Sequence, residues 1–344
     1  MKLFSQKDAE VLVKTGAMEF RVPAGVIVTP GAKDILIAAR VKMITGGTGT
    51  TIDTKSVDSA SPESVFNSDE ARKIKDEICE IGKRLWAREM VDGNGGNISY
   101  RIRENMVICT PTLVSKGFMT PDMICMVDLE GKQIAGSAKR TSEITTHLAI
   151  YKGAPAAKAV VHAHPVYGTA FAIAGVEPPQ CLIPELEVFA GKVILAPYQT
   201  PGSKAMAETI QPLSEKHQAI LMGSHGVICW GFTVEDAYWK MENTDSFCRT
   251  VLAAAPLKGN AMIPGEKVRE LLDIRKSLGM PDPRYDLKPV ELCELDPWEV
   301  VRGNACSCKI TPETKTATGA TGDVEMERVV QQITDQILKQ MGGS

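Results

Sequence analysis

AKAVVHAH, residues 157–164, is the stretch of this 344-residue sequence that decides its fold. Its apolar run has the length and the β-branched content of a buried strand, and the strand ends in a polar tip. In His162-Ala163-His164 the spacing of two residues places both imidazoles on the same side of an extended chain. Two neutral imidazoles on one side form a partial site for a divalent metal ion such as Zn²⁺.

A third histidine, His225, is predicted to complete this metal site. It stands in Ser224-His225-Gly226, between the apolar runs AILMG and GVICW, so it is displayed at a strand end, and the glycine leaves space beside it. Three protein ligands leave one coordination position open for a substrate. Spacing alone leaves two alternatives open, an accidental H-x-H pair and a simple Ser-His-Gly turn.

Strands and helices alternate on both sides of this central strand. The short apolar runs MVICT, ICMVDL, KVILAP, AILM and GVICW predict further strands. Helices are predicted after Ser68, in SEITTHLAIYK with Ser142 as the N-cap, and over residues 233–254. The chain contains neither G-x-G-x-x-G nor G-x-x-x-x-G-K-[ST], so we expect an α/β domain that is not a nucleotide binder of those types.

Composition divides the chain into zones. The Gly/Ser/Thr-rich stretch 45–67 has few large apolar residues and is predicted to be a flexible linker, as is a second stretch near the C-terminus. The predicted zones are an N-terminal segment 1–44, the linker 45–67, a main domain 68–256, a Pro-rich extension 257–303, a linker 304–322 and a terminal helix 323–344.

The terminal helix is amphipathic, because one face collects its apolar side chains: Met326, Val329, Val330, Ile333, Ile337 and Met341. Such a helix on a tether either folds back on the main domain or docks in a groove of a partner protein. Both possibilities stay open at this point.

The overall balance of residues excludes some functions. The net charge is −3 and charged residues of both signs are interspersed, which gives no reason to expect nucleic acid or an anionic membrane as partner. The N-terminus lacks the pattern of a signal peptide and no run is apolar enough to span a membrane, so we expect a cytoplasmic location. The nine cysteines, with Cys109, Cys125 and Cys229 in apolar runs, are predicted to be reduced core residues, and Cys306 and Cys308 an incidental loop pair.

Two more features could serve the chemistry of a metal site. Glu143 follows Thr141 and Ser142 at a predicted helix start, where it is either an acid that complements the helix dipole or a catalytic acid/base. The turn GNGGNIS, residues 93–99, is rich in Gly and Asn, and such backbones also form nests for anions.

Taken in order, the motifs GNGGNIS, TPT, SE, VVHAH, APY and SHG resemble the class II aldolase/adducin family, most closely its L-fuculose-phosphate aldolase branch, over about residues 69–256. The resemblance implies a three-layer α/β domain with a central, mainly antiparallel sheet flanked by helices. It also implies site residues: His162, His164 and His225 as Zn²⁺ ligands, Glu143 as the catalytic acid/base, and Asn97, Thr112, Thr141 and Ser142 as the groups that hold the substrate phosphate.

The activity implied is cleavage of L-fuculose 1-phosphate or L-rhamnulose 1-phosphate to dihydroxyacetone phosphate and lactaldehyde, in a homotetramer. A metal stabilises the enediolate charge and a carboxylate moves the proton on its carbon. The alternatives are a sugar-phosphate epimerase or dehydratase of the same fold, or a non-catalytic adducin-like interaction domain. Because the three histidines and Glu143 are all present, the last alternative is disfavoured.

The sequence departs from the family pattern at three places. Leu113 replaces the glycine of T-P-T-G, and RTSE replaces PSSE, so that Arg140 either adds a charge for the phosphate or faces solvent. The segment IPELEVFAG, residues 183–191, contains Glu185 and Glu187 but lacks the tyrosine that serves this branch as a proton donor. Tyr198 and Tyr167 are the remaining candidates for that role.

Both ends of the chain resemble parts of bacterial microcompartment proteins. FRVPAGVIVTPGAKD within residues 1–44 is similar to an N-terminal segment of such enzymes, and residues 323–344 are similar to an encapsulation peptide. These resemblances imply an enzyme housed in a microcompartment, with shell or cargo proteins as partners of residues 323–344.

Overall fold

The structure is a computed structural model that describes residues 2–4, 6–14, 19–22, 26–39, 41–45, 61–257 and 261–293. The predicted linker 304–322, the terminal helix 323–344 and the pair Cys306 and Cys308 lie outside the described residues. Within the described ranges, no helix is both long enough and apolar enough to cross a membrane.

The N-terminal segment contains a small unit with its own apolar cluster. Its elements are β1 (Lys2–Phe4), α1 (Gln6–Lys14), β2 (Glu19–Val22), β3 (Val26–Val28), α2 (Pro30–Ala38) and β4 (Lys42–Thr45). Strand β1 pairs in parallel with β3, and β2 pairs in parallel with β4. Leu12, Phe20 and Leu36 are buried in the cluster, so this unit packs around apolar side chains contributed by the segment predicted as 1–44.

An eight-stranded sheet forms the centre of the main domain. Its strands are β5 (Asn97–Arg103), β6 (Met106–Cys109), β7 (Cys125–Val127), β8 (Gln133–Ala135), β9 (Ala159–Ala163), β10 (Ile194–Ala196), β11 (Ala219–Met222) and β12 (Gly226–Gly231). They lie in the order β10-β11-β12-β9-β5-β6-β7-β8. Only the β10–β11 pair within this sheet is parallel, which confirms the predicted, mainly antiparallel sheet.

Helices cover both faces of the sheet. They are α3 (Pro62–Phe66), α4 (Asp69–Ala87), α5 (Ile144–Gly153), α6 (Val166–Ala174), α7 (Lys204–Ser214), α8 (Val234–Ala254) and α9 (Gly265–Ser277). One apolar cluster joins the sheet to α5 and α7, and a second joins the opposite face to α4, α6 and α8. The three-layer α/β architecture predicted by the family resemblance is therefore confirmed.

Strand β9 shows how the alternation of side chains positions the first histidine. Val160 packs in the cluster with α5 and α7, whereas Val161 packs in the opposite cluster. Because successive side chains of a strand point to opposite faces, His162 points to the same face as Val160. It is fully buried there and lies opposite Asn97 of β5 in the strand register.

Two helix starts agree with the sequence and one does not. The Ser68 hydroxyl accepts a hydrogen bond from the Ala71 N–H and caps α4, as predicted. Helix α8 lies within the predicted range 233–254, and the Thr233 hydroxyl caps it by accepting from the Asp236 N–H. The prediction that Ser142 caps α5 is wrong. That helix begins at Ile144, so Glu143 occupies the N-cap position, and its side chain makes no capping hydrogen bond. The Glu143 N–H instead donates to the Thr141 hydroxyl at 3.3 Å, so a side-chain turn precedes the helix.

The last residues of the segment predicted as the linker 45–67 form a short helix that packs in the main domain. Ser61 caps the short helix α3, Pro62 occupies its first turn, and Val65 and Phe66 are buried. The packed main domain thus begins before Ser68.

The extension after α8 is fastened to the main domain. Helix α9 packs on the π-helical turn Leu186–Ala190, and a disulfide joins Cys181 to Cys293 across 112 residues. The prediction that all cysteines are reduced is wrong for this pair, since sequence spacing does not reveal two cysteines that the fold brings together. Cys109, Cys125 and Cys229 are free and buried, as predicted.

Candidate metal centre

His162, His164 and His225 converge at one end of the sheet. Each histidine contributes one ring nitrogen to a group of three nitrogen atoms that all lie within 4.8 Å of one another. The Nε2 atoms of His162 and His164 are 3.2 Å apart. The elements responsible are the end of β9 and the hairpin between β11 and β12, which are the positions that the H-x-H and Ser-His-Gly patterns predicted.

The opposite ring nitrogens decide how these imidazoles are protonated. The Nδ1 atom of His162 lies 2.9 Å from the Val227 carbonyl oxygen, and the Nδ1 atom of His164 lies 3.0 Å from Asp92 Oδ1. Both partners are acceptors, so each Nδ1 carries the proton and each Nε2 presents its lone pair. The Nδ1 of His225 is buried without a hydrogen-bond partner among the described residues.

Burial keeps two of these rings neutral. It lowers the pKa of His162 well below the ordinary value, and it lowers the pKa of His225 to about 4, with the neighbouring imidazoles acting in the same direction. Neutral imidazole is the form that binds metals. Three convergent imidazoles, two of them held neutral by burial and with their outer nitrogens partly satisfied, fit a divalent metal ion of the borderline type, such as Zn²⁺.

The hairpin that carries His225 is tightly packed against β9. A side chain at Gly226 would bring a Cβ within 2.6 Å of the Ala163 carbonyl oxygen and 2.7 Å of His164 Cδ2. Glycine is therefore required for the close approach that brings His225 to the other two imidazoles. The missing side chain at Gly226 thus makes room for β9 and His164.

The carboxylate of Glu143 adjoins the three imidazoles. Its Oε2 atom lies 3.6 Å from the Nε2 of His162 and 3.8 Å from the Nε2 of His225. Burial raises the pKa of Glu143 above its usual value, while His164, Asn97 and Lys116 act in the opposite direction. A carboxyl beside a metal position, with a pKa moved toward neutrality, is suited to moving protons.

A buried hydrogen-bonded chain runs to this carboxylate from the core. The Tyr151 hydroxyl lies 2.8 Å from Ser99 Oγ, which lies 2.7 Å from His147 Nδ1. The His147 Nε2 reaches Asn97 Oδ1 at 2.5 Å, and Asn97 Nδ2 donates to Glu143 Oε1 at 3.5 Å. Because Asn97 Oδ1 can only accept, His147 donates from Nε2 and its Nδ1 accepts from Ser99.

Sequence reasoning missed this chain. His147 lies inside an apolar helix, and burial lowers its pKa to about 3, so the ring is neutral. The pattern His147 and Tyr151, four residues apart on one helix face, was a signal that could have been noticed. Its partners on β5 lie about fifty residues away, and nothing local indicates them.

Of the residues predicted to hold a phosphate, Asn97 lies at the metal centre, next to Glu143. Thr112 and Thr141 are brought together by a backbone bridge between Pro111 and Arg140. The Thr112 N–H donates to the Lys139 carbonyl and the Thr141 N–H to the Thr110 carbonyl. Ser142 follows and is exposed. The structure thus gathers these four residues around two adjoining loops.

The departures from the family pattern have distinct outcomes. Leu113 takes a left-handed backbone conformation, at φ 59°, with its side chain exposed. The guanidinium of Arg140 donates to the carbonyls of Gly131 and Thr141, so it is half-buried against backbone. Its role as a charge for the phosphate stays a prediction.

The acids and tyrosines considered as proton donors also differ in their surroundings. Glu187 is buried and binds Arg284 at 2.6 Å, while Glu185 is exposed. Tyr198 is exposed, and the ring of Tyr167 faces the guanidinium of Arg249. Among the described residues, no tyrosine is hydrogen-bonded to Glu143.

Residues 76–252 match the family described as the Class II Aldolase and Adducin N-terminal domain, which is about half of the chain. The chain belongs to the class II aldolase family. This confirms the resemblance inferred from the order of the motifs.

Curated relatives of this class II aldolase family member include two enzyme types. The chain is 37% identical over 166 residues to the L-fuculose phosphate aldolase of Methanococcus vannielii, and the match covers 48% of this chain and 88% of the relative. It is 31% identical over 203 residues to the 3-oxo-tetronate 4-phosphate decarboxylase of Haemophilus influenzae, covering 58% and 92%. The homologues are lyases, and this class II aldolase family member is an enzyme of that class.

Solved structures support the same architecture. YgbL from Klebsiella pneumoniae is 29% identical, with a TM-score of 0.53 over 58% of this chain and 98% of YgbL. A structure named L-fuculose 1-phosphate aldolase is 24% identical, with a TM-score of 0.57 over 63% and 100%. At that identity, the second likeness shows the fold of the class II aldolase family member and no more.

Proposed function

We propose that this protein is a Zn²⁺-dependent aldolase that cleaves L-fuculose 1-phosphate, or L-rhamnulose 1-phosphate, to dihydroxyacetone phosphate and lactaldehyde. The observation that supports it most directly is the Glu143 carboxylate within 4 Å of the Nε2 atoms of His162 and His225. In this proposal His162, His164 and His225 hold the metal, and the relatives named as fuculose phosphate aldolases supply the substrate class.

The residues of the chain would divide the work as follows. A bound divalent metal supplies a Lewis acid that stabilises negative charge on substrate oxygens. Glu143 holds the proton that leaves and returns to the carbon of the enediolate, and Asn97 orients that carboxylate. The hydroxyls of Thr112, Thr141 and Ser142 and the amide of Asn97 offer donors for the phosphate dianion.

A second reaction, decarboxylation of a 3-oxo-tetronate 4-phosphate, is favoured by one observation. Among the described residues, neither a tyrosine nor an unpaired acid is hydrogen-bonded to Glu143. The carboxylate of Glu187 forms an ion pair with Arg284. Loss of CO₂ from a 3-oxo acid breaks the bond between the carboxyl carbon and its neighbour and leaves the electron pair as the same enediolate. Glu143 then gives one proton to that carbon, and no substrate hydroxyl has to lose its proton to become an aldehyde. The match of this chain covers 92% and 95% of the length of two relatives with this name.

A product assay separates these candidates. The purified protein, loaded with Zn²⁺, would be offered a panel of ketose 1-phosphates and 3-oxo-tetronate 4-phosphate. Lactaldehyde with dihydroxyacetone phosphate supports the aldolase, whereas CO₂ with dihydroxyacetone phosphate supports the decarboxylase. A changed sugar phosphate with neither product would identify an epimerase or a dehydratase. No turnover of any member, in protein that binds no stoichiometric metal, would leave the adducin-like interaction domain.

The carboxylate is tested with Glu143→Gln, which keeps the size of the side chain and removes its proton chemistry. We expect metal content equal to that of the unaltered protein and a turnover lower by roughly 10²–10⁴-fold. His162→Ala should instead lose the metal itself. Turnover near the original value in either variant would contradict the assignment.

We propose further that the protein is a homotetramer housed in a bacterial microcompartment, with residues 323–344 as the encapsulation peptide. Support comes from the family resemblance and from the separately packed N-terminal unit.

Light scattering checks the tetramer. Deletion of residues 323–344 should preserve turnover and abolish co-sedimentation with shell proteins. Aggregation of the truncated protein would show instead that the terminal helix belongs to the main domain.

A further inference from the structure

Lys116 is a buried lysine that the proposed reaction does not use. Its side chain is 1% exposed, and it lies at the start of a short 3-10 turn, Lys116–Phe118. The turn is pressed against α4, because a Cβ on Gly82 would lie 2.3 Å from the Lys116 carbonyl oxygen. This packing directs the lysine side chain inward, toward the loops of the candidate site.

The ammonium group of Lys116 joins two of these loops. Its Nζ donates to the Asn94 carbonyl oxygen at 3.0 Å and to the Val114 carbonyl oxygen. Asn94 belongs to the glycine-rich turn that leads to Asn97, whereas Val114 follows Thr112. Burial lowers the pKa of Lys116 to about 8, with the charge of Glu143 acting in the opposite direction. A buried cation whose donors are used on two backbone carbonyls acts as a cross-link between the loops.

The loop on the Val114 side needs such a cross-link. Its first half is held by backbone pairing, since the Thr141 N–H donates to the Thr110 carbonyl and the Thr112 N–H to the Lys139 carbonyl. After Thr112 comes Leu113, with φ 59° and a side chain that is 78% exposed. A leucine in the left-handed region is strained, and its exposed side chain gains little from packing in return.

We infer that Lys116 is a positioning residue that holds residues 112–114 in the left-handed loop shape against the strain at Leu113, and so places Thr112 for the substrate phosphate. The inference rests on the proposed function for its ligand. Strained conformations persist where surrounding contacts over-determine them, and here the lysine supplies the contact on the unpaired side of the loop. A glycine at position 113 would adopt the same φ without strain and would make the cross-link less necessary.

A double-mutant cycle tests this coupling. In Lys116→Met we expect KM for the phosphorylated substrate and Kd for inorganic phosphate to rise about tenfold, with a smaller change in kcat, because charged hydrogen bonds are lost. Adding Leu113→Gly should restore most of the loss. Adding Leu113→Ala should restore little, because alanine removes the exposed side chain and keeps the backbone strain. Equal rescue by both, or no rescue by glycine, overturns the inference.

Hydrogen–deuterium exchange of residues 110–115 in the ligand-free protein provides a readout that does not depend on the substrate. Relative to the unaltered protein, the exchange should be faster by about tenfold in Lys116→Met. It should be slower than in the unaltered protein in Leu113→Gly alone, a variant that leaves the buried lysine in place. If Lys116→Met does not fold, the comparison of Leu113→Gly with Leu113→Ala still decides, since equal exchange in the two overturns the inference.

The two proposals fail in different ways. If no ketose phosphate or 3-oxo acid phosphate is turned over, the proposed function fails, while slower exchange in Leu113→Gly still supports the bracing of the loop. If turnover is found and the exchange of residues 110–115 is the same in all variants, the bracing by Lys116 fails and the proposed function stands.

Discussion

Asn97 accepts a hydrogen bond from His147 at 2.5 Å, and the contact fixes which end of its amide faces Glu143. An asparagine side chain can turn over and exchange its oxygen for its nitrogen. Because His147 takes the oxygen, the amide nitrogen is directed at the carboxylate. The orientation of the acid/base group is thus set by a fully buried histidine.

His147→Leu should therefore impair catalysis without removing the metal ligands. Asn97 would lose the partner that orients it, and small misplacements of catalytic groups cost up to about 10²-fold in rate. We expect kcat to fall by about 10- to 100-fold with metal content unchanged, measured by steady-state kinetics and metal analysis. His217→Leu is the matched control, because His217 is also buried and bonds the Lys192 carbonyl. Equal losses in both variants would indicate a general packing defect.

The same histidine makes stability depend on pH. Its pKa is lowered to about 3 by burial in the folded state, against about 6.5 for an unfolded chain. As pH falls below about 6.5, the unfolded state binds a proton that the folded state refuses, so the free energy of unfolding decreases.

Between pH 7 and pH 5 this group should account for a loss of about 2 kcal/mol. Urea unfolding of the unaltered protein and of His147→Gln at both pH values isolates the effect, because the other histidines are common to the two proteins. The loss between the two pH values should be smaller in the variant by about that amount. An identical pH dependence would show that His147 is not held neutral.

Asp92 should tune the metal affinity through His164. Its carboxylate accepts from His164 Nδ1 at 3.0 Å, and this hydrogen bond lowers the pKa of Asp92. Outer partners of metal-binding histidines fix the tautomer and the ring orientation, and their loss costs about 10- to 100-fold in affinity. We expect Asp92→Ala to weaken Zn²⁺ binding by that factor and Asp92→Asn by less, because an amide oxygen still accepts.

Competition with a chelator of known affinity measures the change at Asp92. The exposed Asp286 provides a control, since Asp286→Ala removes an acid of equal charge outside the metal centre. Affinities that fall equally in both variants would point to the loss of net charge. An unchanged affinity in Asp92→Ala would remove this residue from the metal centre.

The histidines could be predicted from the sequence because local rules determine them. Strand alternation places His162 and His164 on one side, and a glycine-flanked strand end displays His225. The three-layer domain with its central sheet was predicted from the order of strand and helix patterns together with the family resemblance. These features depend on residues close to one another in the chain.

The supporting contacts could not be predicted, because they join residues that are far apart in sequence. His147 meets Asn97 across 50 positions, and His164 meets Asp92 across 72. Nothing in the sequence around Lys116 indicates that this lysine is buried, and it is the packing of its turn on α4 that buries it. The cap of α5 was mispredicted because Thr141, rather than Ser142, bonds the backbone ahead of the helix.

The docking of the C-terminal extension should depend on a buried ion pair. Arg284 binds Glu187 of the main domain at 2.6 Å and Asp282 at 2.8 Å, and all three side chains are at most 4% exposed. Arg284→Met leaves two carboxylates buried beside Arg275 with too little positive charge. Removing one partner of a buried pair costs about 3–5 kcal/mol, because the remaining charge has no water around it.

Urea unfolding at neutral pH should show that loss for Arg284→Met. Lys267→Met on α9 is the control, because Lys267 pairs with Glu270 in solvent, where both side chains are more than half exposed. An exposed pair contributes little to stability, because solvent screens its charges. Similar losses for the two variants would mean that the ion pair does not hold the extension. A first transition at low urea, seen in Arg284→Met alone, would show that the extension detaches before the sheet unfolds.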